Sequence, residues 1–372
     1  MPQVPLTACM MGVEVQDIFA AHFTDYAAKH RISLTQWKTA QNMISCRTAK
    51  LGAHIDVCDK CGYTRISYNS CRDRHCPKCQ TYAKELWLDG QRRDLLNTHY
   101  FHVVFTVPEE LNSLFLHSPK EMYALLFKAA SETVMELCAD QKYLGAVPGI
   151  TAVLHTWGQN LCFHPHIHMI VSGGGLTALG KWVSSRKKFF LPVRVLSAKF
   201  RGKFMALLQV RQSLSRGLLD VCYSKNWVVY CKPPFGSAEK VLDYLGRYTH
   251  RVAISNNRIL SLEDGKVTFR WRDYSDGNKV KRMTLDAEEF IRRYLLHVLP
   301  KEFRKLRHYG LYAPRNKLER LKLCRRLTGT PAPVVAMPVV ERLRNLIGKD
   351  FDRCPCCKIG HLSREPPAGR TA

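Results

Sequence analysis

The sequence predicts an α+β protein, because helical and strand-forming segments alternate along the chain. Apolar residues recur at spacings of three and four over 14–50 and 119–138, as they do on one face of an amphipathic helix. The segments 149–157 and 161–171 are rich in β-branched and aromatic residues and are joined by a Gly-Gln-Asn turn, which predicts a hairpin. A third feature is a cysteine-rich, loop-rich stretch over 54–80.

The remaining elements follow from the same two periodicities. A basic amphipathic helix is predicted over 82–98, and a strand over 100–107 ends at Pro108. The other predicted elements are helices over 194–224, 237–250 and 286–308, a strand over 227–232, and a hairpin over 251–271 that turns at Glu263-Asp264-Gly265.

The composition predicts a soluble, intracellular protein that binds a polyanion. The 372 residues suffice for two or three domains, and 57 Lys and Arg residues against 31 Asp and Glu residues give a net charge of +26, which favours nucleic acid as the partner. No apolar run is long enough to span a membrane, and 1–11 lack the pattern of a secretory signal. The odd number of 15 cysteines disfavours a disulfide framework and favours metal binding where thiols cluster.

Two Cys-x2-Cys pairs predict a structural zinc site in the cysteine-rich stretch. Each pair presents two thiolates on one side of a tight turn, and two pairs complete a tetrahedron around zinc. The predicted ligands are Cys58, Cys61, Cys76 and Cys79. Cys71 and His75 lie between the pairs as spare candidates, and redox-active or merely buried cysteines are the alternative.

Basic residues interleave with these cysteines. Arg72, Arg74 and Lys78 are therefore predicted to dock on a DNA backbone, although a solvated charged surface explains them equally.

A third Cys-x2-Cys pair, Cys354 and Cys357, lies near the C-terminus and is followed by His361. This set supplies three ligands at most, so a second zinc ion requires a fourth ligand from elsewhere in the chain or from another chain. A ribbon without metal is the alternative.

Three histidines alternate along one predicted strand, which places His164, His166 and His168 on the same face. Neighbours two residues apart are about 6.6 Å apart along the strand, and the outer pair about twice that, so only two of the three can share an ion without a bulge. We assign His166 and His168 as ligands of a catalytic divalent ion and His164 as an auxiliary residue that contacts DNA.

The third ligand of this ion must come from another element. Gln159 in the preceding turn is the first choice, and His155 on the facing strand is the second. An amide oxygen suits Mg²⁺ or Mn²⁺ that holds a phosphate, whereas a third nitrogen favours zinc and hydrolytic chemistry.

Tyr244 and Tyr248 are four residues apart, which places both phenols on one helix face about 6 Å apart. Such a pair is ordinarily part of a core. Cations around the pair favour a catalytic role instead, because they stabilise a phenolate and the charge that develops on a phosphate. The surrounding cations predicted to contact DNA are Lys240, Arg247 and Arg251, and His250 completes the ring.

Three motifs in chain order resemble the HUH endonucleases, which are named for a His-hydrophobe-His strand. They are Phe105-Thr106, His166-Ile167-His168 and Tyr244. More narrowly, CRDRHCPKCQ over 71–80, the HPHIH strand and YLGRYTHR over 244–251 resemble the rolling-circle transposases of the insertion sequence 91 family. The resemblance covers residues 30–310.

This resemblance implies a central antiparallel sheet flanked by helices, and a specific chemistry. Mg²⁺ or Mn²⁺, held by His166, His168 and a third polar ligand for which Gln159 is suitably placed, would polarise a phosphate of single-stranded DNA. Tyr244 and Tyr248 would be the nucleophiles, each forming a 5′-phosphotyrosine and releasing a 3′-hydroxyl. Two such residues allow alternating cleavage and strand transfer in rolling-circle transposition.

The resemblance also implies partners and a domain plan. The substrates are single-stranded element ends and target DNA in the bacterial cytoplasm, at the nucleoid. No nucleotide-binding P-loop occurs, so unwinding is expected from a host helicase or the replication machinery. The expected parts are an N-terminal helical and zinc-binding DNA-docking domain over 1–98, an HUH catalytic domain over 99–310 and a basic extension with a Pro-rich linker over 311–372.

Two other functions remain open at this point. A non-catalytic zinc-dependent nucleic-acid-binding protein would explain the cysteines but not the tyrosine pair and its cations. An HUH replication initiator or relaxase would carry out the same nicking chemistry at a plasmid origin.

Overall fold

The computed structural model describes residues 12–186, 190–232, 235, 240–241, 244, 246, 253–332, 337–338, 341–344, 350 and 352–364. This part of the chain contains helices and three antiparallel sheets, which confirms the predicted mixture of α and β structure.

The helices are α1 (Val15–Lys29), α2 (Leu34–Ser45), α3 (Pro77–Asp94), α4 (Asn112–His117), α5 (Pro119–Ala139), α6 (Val193–Gln209), α7 (Arg216–Ser224), α8 (Ala287–Leu295) and α9 (Lys317–Thr328). The strands are β1 (Ala53–Cys58), β2 (Thr64–Tyr68), β3 (Tyr100–Thr106), β4 (Val147–Trp157), β5 (Phe163–Leu176), β6 (Trp182–Ser184), β7 (Val229–Lys232), β8 (Ile259–Glu263), β9 (Lys266–Asp273), β10 (Lys279–Asp286), β11 (Leu306–Gly310) and β12 (Leu362–Arg364). Lys240, Val241, Tyr244 and Gly246 are helical as well.

The central sheet has the strand order β11, β4, β5, β3 and β7, and β6 pairs with the end of β5. Its paired strands are antiparallel, and β4 and β5 form the hairpin that the sequence predicts. Strand β5, with 14 residues, lies in the middle of the sheet and therefore has a hydrogen-bonded neighbour on both sides.

One face of the central sheet forms the main core. Phe101, Val103 and Phe105 alternate along β3 and point into this core, as do Ile167 and Met169 of β5. Helices α5 and α6 cover the same face, and α5 begins with a proline in its first turn, where the missing N–H costs no helical hydrogen bond. Because apolar side chains fill this face, the polar residues of the same strands lie on the opposite one.

A second core joins the N-terminal helices to a three-stranded sheet of β8, β9 and β10. Phe19 and Phe23 of α1 pack there with Phe269 of β9 and with Phe290 and Tyr294 of α8. Residues of the predicted N-terminal domain (1–98) and of the predicted catalytic domain (99–310) therefore share one core.

The third sheet has the order β12, β1, β2, so the C-terminal segment folds back onto the cysteine-rich stretch. Cys58 pairs with Leu362, and Asp56 pairs with Arg364. The C-terminal extension is thus attached to the N-terminal part by backbone hydrogen bonds.

Several predicted boundaries differ from the observed ones. The predicted helix over 14–50 is interrupted by 30–33, where Ser33 accepts a hydrogen bond from the Gln36 N–H and caps α2. The helix predicted over 286–308 ends at Leu295, and residues 306–308 belong to strand β11 instead. The predicted turn at Glu263-Asp264-Gly265 is confirmed, because Asp264 and Gly265 both have positive φ between β8 and β9. None of the helices among the described residues is long and apolar enough to cross a membrane.

Candidate active site and metal centres

Strand β5 presents its histidines on the face away from the main core. Pro165, Ile167 and Met169 are buried, and the alternating His164, His166 and His168 point to the other side, as the period of two predicts. His166 is paired with His155 on β4 and with Thr106 on β3.

Three imidazoles converge on this face. His155, His166 and His168 each offer a nitrogen within 4.8 Å of those of the other two. His155, the second choice as third ligand, therefore belongs to this group of imidazoles. The reason is the register: His155 lies directly across from His166, whereas Gln159 lies beyond the end of β4 and donates a side-chain hydrogen bond to the Tyr274 hydroxyl at 3.1 Å.

The protonation states in this histidine cluster fit a metal site. Nδ1 of His166 lies 2.6 Å from the His164 carbonyl oxygen, so this nitrogen carries the proton and Nε2 keeps its lone pair. Burial lowers the pKa of His166 to about 4, and it lowers the pKa of His168 well below the ordinary value. Both rings are therefore neutral near pH 7, which is the form that binds a metal ion. His164 lies outside the cluster, at its exposed end.

Tyr244 lies next to the histidine cluster. Its hydroxyl oxygen is 3.0 Å from Nδ1 of His168 and 2.5 Å from Nε2 of His102. Val241 and Tyr244 also pack in a core with Leu88 of α3, and a Cβ on Gly246 would lie only 2.9 Å from Cδ1 of Leu88. The helical segment that carries Tyr244 is thus in close contact with α3.

His102 is a site residue that the sequence analysis missed. It lies on β3, is 4% exposed, and its Nε2 is 2.9 Å from Nδ1 of His168. Burial, and then the charge of Lys232 on the adjacent β7, lower the pKa of His102 to about 3. The sequence does indicate this residue, because His102 and Thr106 are four positions apart in a predicted strand and therefore lie on the same face.

The second predicted nucleophile, Tyr248, lies outside the described residues, as do Arg247, His250 and Arg251. Lys240 is described and lies, exposed, on the same helical segment as Tyr244.

The cysteines form two clusters rather than the single predicted site. Cys76 and Cys79 lie at the start of α3, whereas Cys58 is the last residue of β1, the middle strand of the third sheet, and the two pairs do not meet. The observed clusters are Cys46, Cys71, Cys76 and Cys79 in one place and Cys58, Cys61, Cys354 and Cys357 in another. The prediction of one zinc site shared by Cys58, Cys61, Cys76 and Cys79 is thereby corrected.

The first cluster has the spacing of a metal site. Sγ of Cys79 lies 3.6 Å from Sγ of Cys46 and 3.6 Å from Sγ of Cys71. The backbone N–H of Asp73 donates to Sγ of Cys71. Cys71, a spare candidate, belongs to this cluster, whereas the buried His75 accepts from the Leu299 N–H through Nε2 and has a structural role.

The basic residues near this cluster divide into two groups. Arg74 donates to the carbonyls of Phe303 and Pro300, and Lys78 forms an ion pair with Glu14, so intramolecular contacts occupy both and argue against the predicted DNA role. Arg72 is exposed and available to a phosphate backbone.

Two segments of the chain match models of known protein families. A family model described as "Putative transposase" matches residues 149–320, and one described as "Transposase zinc-binding domain" matches residues 18–107. The chain is 45% identical to "Putative transposase y4qJ" of Sinorhizobium fredii over 94% of each chain. It is 26% identical to "Transposase for insertion sequence element IS801" of Pseudomonas savastanoi pv. phaseolicola, over 86% of this chain and 81% of that one. No solved structure matches the chain.

Proposed function

Because the chain belongs to the insertion sequence 91 family of transposases, we propose that it cleaves and rejoins single-stranded DNA through a 5′-phosphotyrosine and so drives rolling-circle transposition. The observation that carries this proposal is the position of Tyr244, whose hydroxyl is within hydrogen-bond distance of His168 in the histidine cluster. A phenol beside a set of metal-binding imidazoles is the pairing that a tyrosine nucleophile requires.

The histidine cluster would hold a divalent ion through His155, His166 and His168, and the bound ion would neutralise charge on the scissile phosphate. Of the two expected metals, we favour Mn²⁺ over Mg²⁺, because three imidazoles suit a transition ion better than a hard cation that prefers oxygen. A third nitrogen also suits zinc and hydrolysis by water. The neighbouring phenol favours attack by tyrosine instead.

His102 is suited to accept the proton of Tyr244. Its Nε2 is 2.5 Å from the phenol oxygen, and burial, which lowers the pKa of His102 to about 3, keeps the ring neutral. Because so weak a base cannot ionise a phenol beforehand, the proton would move only as the bond to phosphorus forms. In this scheme the phenol O–H donates to His102 while Nδ1 of His168 donates to the phenol oxygen. The bond from the phenol oxygen to phosphorus forms, the bond from phosphorus to the 3′ oxygen breaks, and the proton on His102 is available to the departing 3′ oxygen.

Tyr248 is proposed as the second nucleophile because it lies four residues after Tyr244 and within the YLGRYTHR motif that resembles the family. Exposed basic residues, among them Lys240 beside Tyr244 and Arg72 beside the first cysteine cluster, are proposed to contact the DNA backbone. Because no nucleotide-binding motif is present, strand separation is proposed to come from a host helicase or from replication.

The test uses single strands from the DNA that flanks the gene, labelled at the 3′ end and incubated with Mn²⁺ or Mg²⁺. The expected product on a denaturing gel is a covalent protein–DNA adduct that requires the ion. Tyr244→Phe and Tyr248→Phe together should abolish this adduct, and each alone should rank the two nucleophiles. The matched control is Tyr223→Phe, which removes a half-exposed phenol from α7, a helix that packs on the main core.

Cleavage without any adduct, retained in the double variant, would indicate hydrolysis by water and would contradict the proposal. A replication initiator would form the same adduct at a plasmid origin. Transposition additionally requires cleavage at both ends of the element that carries the gene.

A further inference from the structure

We propose that Cys58, Cys61, Cys354 and Cys357 bind one zinc ion, which fastens the C-terminal segment onto the cysteine-rich stretch. The matched family models cover residues 18–107 and 149–320, so neither contains the two C-terminal ligands. This site is separate from the cluster of Cys46, Cys71, Cys76 and Cys79.

The sulfur positions match a tetrahedral zinc site. Sγ of Cys58 is 3.7 Å from Sγ of Cys357, and Sγ of Cys61 is 3.6 Å from Sγ of Cys354. Four sulfurs at the usual Zn–S distance of about 2.3 Å lie about 3.8 Å apart, whereas a disulfide bond requires about 2.05 Å. The observed distances are those of a shared ion.

The two Cys-x2-Cys turns have the same backbone geometry although they come from opposite ends of the chain. The N–H of Gly62 donates to the Cys58 carbonyl at 3.2 Å, and the N–H of Lys358 donates to the Cys354 carbonyl at 3.0 Å. Both donors are the fourth residue after the first cysteine, and both have positive φ, 69° and 57°. A lysine adopts this conformation only where its surroundings impose it, so the C-terminal turn is a specific structure.

Backbone N–H groups point at the sulfurs of both turns. The N–H of Lys60 donates to Sγ of Cys58 at 3.4 Å, and the N–H of Gly360 donates to Sγ of Cys357 at 3.3 Å. Such bonds orient a ligand sulfur toward a metal ion. Each of the two turns thus has one sulfur that accepts a backbone hydrogen bond.

The two turns also dock closely on one another. The N–H of His361 donates to the Asp59 carboxylate at 2.7 Å, and a Cβ on Gly360 would lie 2.5 Å from Sγ of Cys58. Among the described residues, the buried apolar cluster around these contacts consists of Cys58, Cys354 and Leu362, with the partly buried Cys357 packed against it. A core of this size does not hold two segments together unaided, and small modules of this kind depend on a metal.

The ion therefore closes a very long loop. Cys61 and Cys354 are 293 residues apart, and the central sheet with its histidine cluster lies between them. The predicted C-terminal zinc pair obtains its missing ligands from the N-terminal part of the same chain.

The first experiment measures zinc per chain in the purified full-length protein. Cys58→Ser with Cys61→Ser, and separately Cys354→Ser with Cys357→Ser, should each lower the zinc content by one equivalent. The variant with all four substitutions should lose the same single equivalent, because the four residues share one ion. The matched control is Cys356→Ser, an exposed cysteine inside the C-terminal turn but outside the cluster, which should leave the zinc content unchanged. Unchanged zinc after loss of Cys354 and Cys357, or a loss of two equivalents in the combined variant, overturns the proposal.

A second experiment uses the wild-type chain and so does not depend on whether a variant folds. Cys61 and Cys356 are both exposed, so an alkylating reagent should reach both in the absence of a metal. In the zinc-loaded protein, Cys356 should react while Cys61 stays protected together with Cys58, Cys354 and Cys357. A chelator should make these four reactive together. Equal labelling of Cys61 and Cys356 in the zinc-loaded protein contradicts the site.

Discussion

Replacing His102 by phenylalanine isolates the proton transfer that the proposed mechanism requires. The substitution keeps a ring that can stack on His168, from which His102 is separated by 5.1 Å between centroids at an interplanar angle of 5°, but it removes the nitrogen that faces Tyr244. Without this acceptor, only a tyrosine that is already ionised can attack. A positioned general base typically contributes about 10²–10⁴-fold to the rate, so adduct formation at pH 7 should slow by about 10³-fold, or about 4 kcal/mol.

The assay is single-turnover adduct formation followed as a function of pH. In the wild type the rate should be level between about pH 6 and 8, because burial keeps the pKa of His102 at about 3 and the ring stays neutral throughout this range. In His102→Phe the rate should rise about tenfold per pH unit, because it follows the ionised fraction of the phenol. A variant with a reduced but level profile would refute the role in proton transfer and leave His102 a structural residue.

Three further predictions concern the metal centres and the packing around them. His155→Ala should weaken binding of Mn²⁺ at least tenfold in calorimetric titrations, whereas Gln159→Ala should bind nearly as the wild type does; the reverse order would restore the glutamine as the third ligand. Gly360→Ala should lower the free energy of unfolding by about 1–3 kcal/mol and reduce the zinc content, because its new Cβ would lie 2.5 Å from a cysteine sulfur. Arg74→Ala should destabilise the chain by about 1–3 kcal/mol in urea denaturation, because two backbone carbonyls lose their donor; unchanged stability with weaker DNA binding would instead support the predicted DNA contact.

The sequence identifies the local features of the candidate site well. Alternation along one strand is enough to place His164, His166 and His168 on a common face, because the period of two is a property of the backbone. Spacing on a helix likewise singles out Tyr244, although nothing in the sequence places its hydroxyl beside His102. That contact depends on which strands are neighbours in the sheet.

Long-range pairing is what the sequence does not reveal. Adjacent Cys-x2-Cys pairs suggest a shared ion, yet each pair clusters with other cysteines. Cys76 lies with Cys71 and with Cys46 at the end of α2, whereas Cys58 lies with cysteines almost 300 positions away. Local spacing cannot distinguish these solutions, because all of them supply four thiolates. The helix predicted over 296–308 is wrong for a similar reason. The segment that forms β11 becomes a strand because it pairs with β4, which is distant in the sequence.

The first cysteine cluster and the segment that carries Tyr244 are connected through a single helix. Helix α3 begins in the first cluster, with Cys76 as its N-cap residue and Cys79 in its first turn. Farther along, Leu88 packs with Val241 and Tyr244 and leaves no space for a side chain at Gly246. The four cysteines therefore lie at the N-terminal end of the helix whose later turns support the tyrosine segment. A zinc ion in that cluster would take no part in the chemistry, but it would hold the start of the helix against which the Tyr244 segment packs.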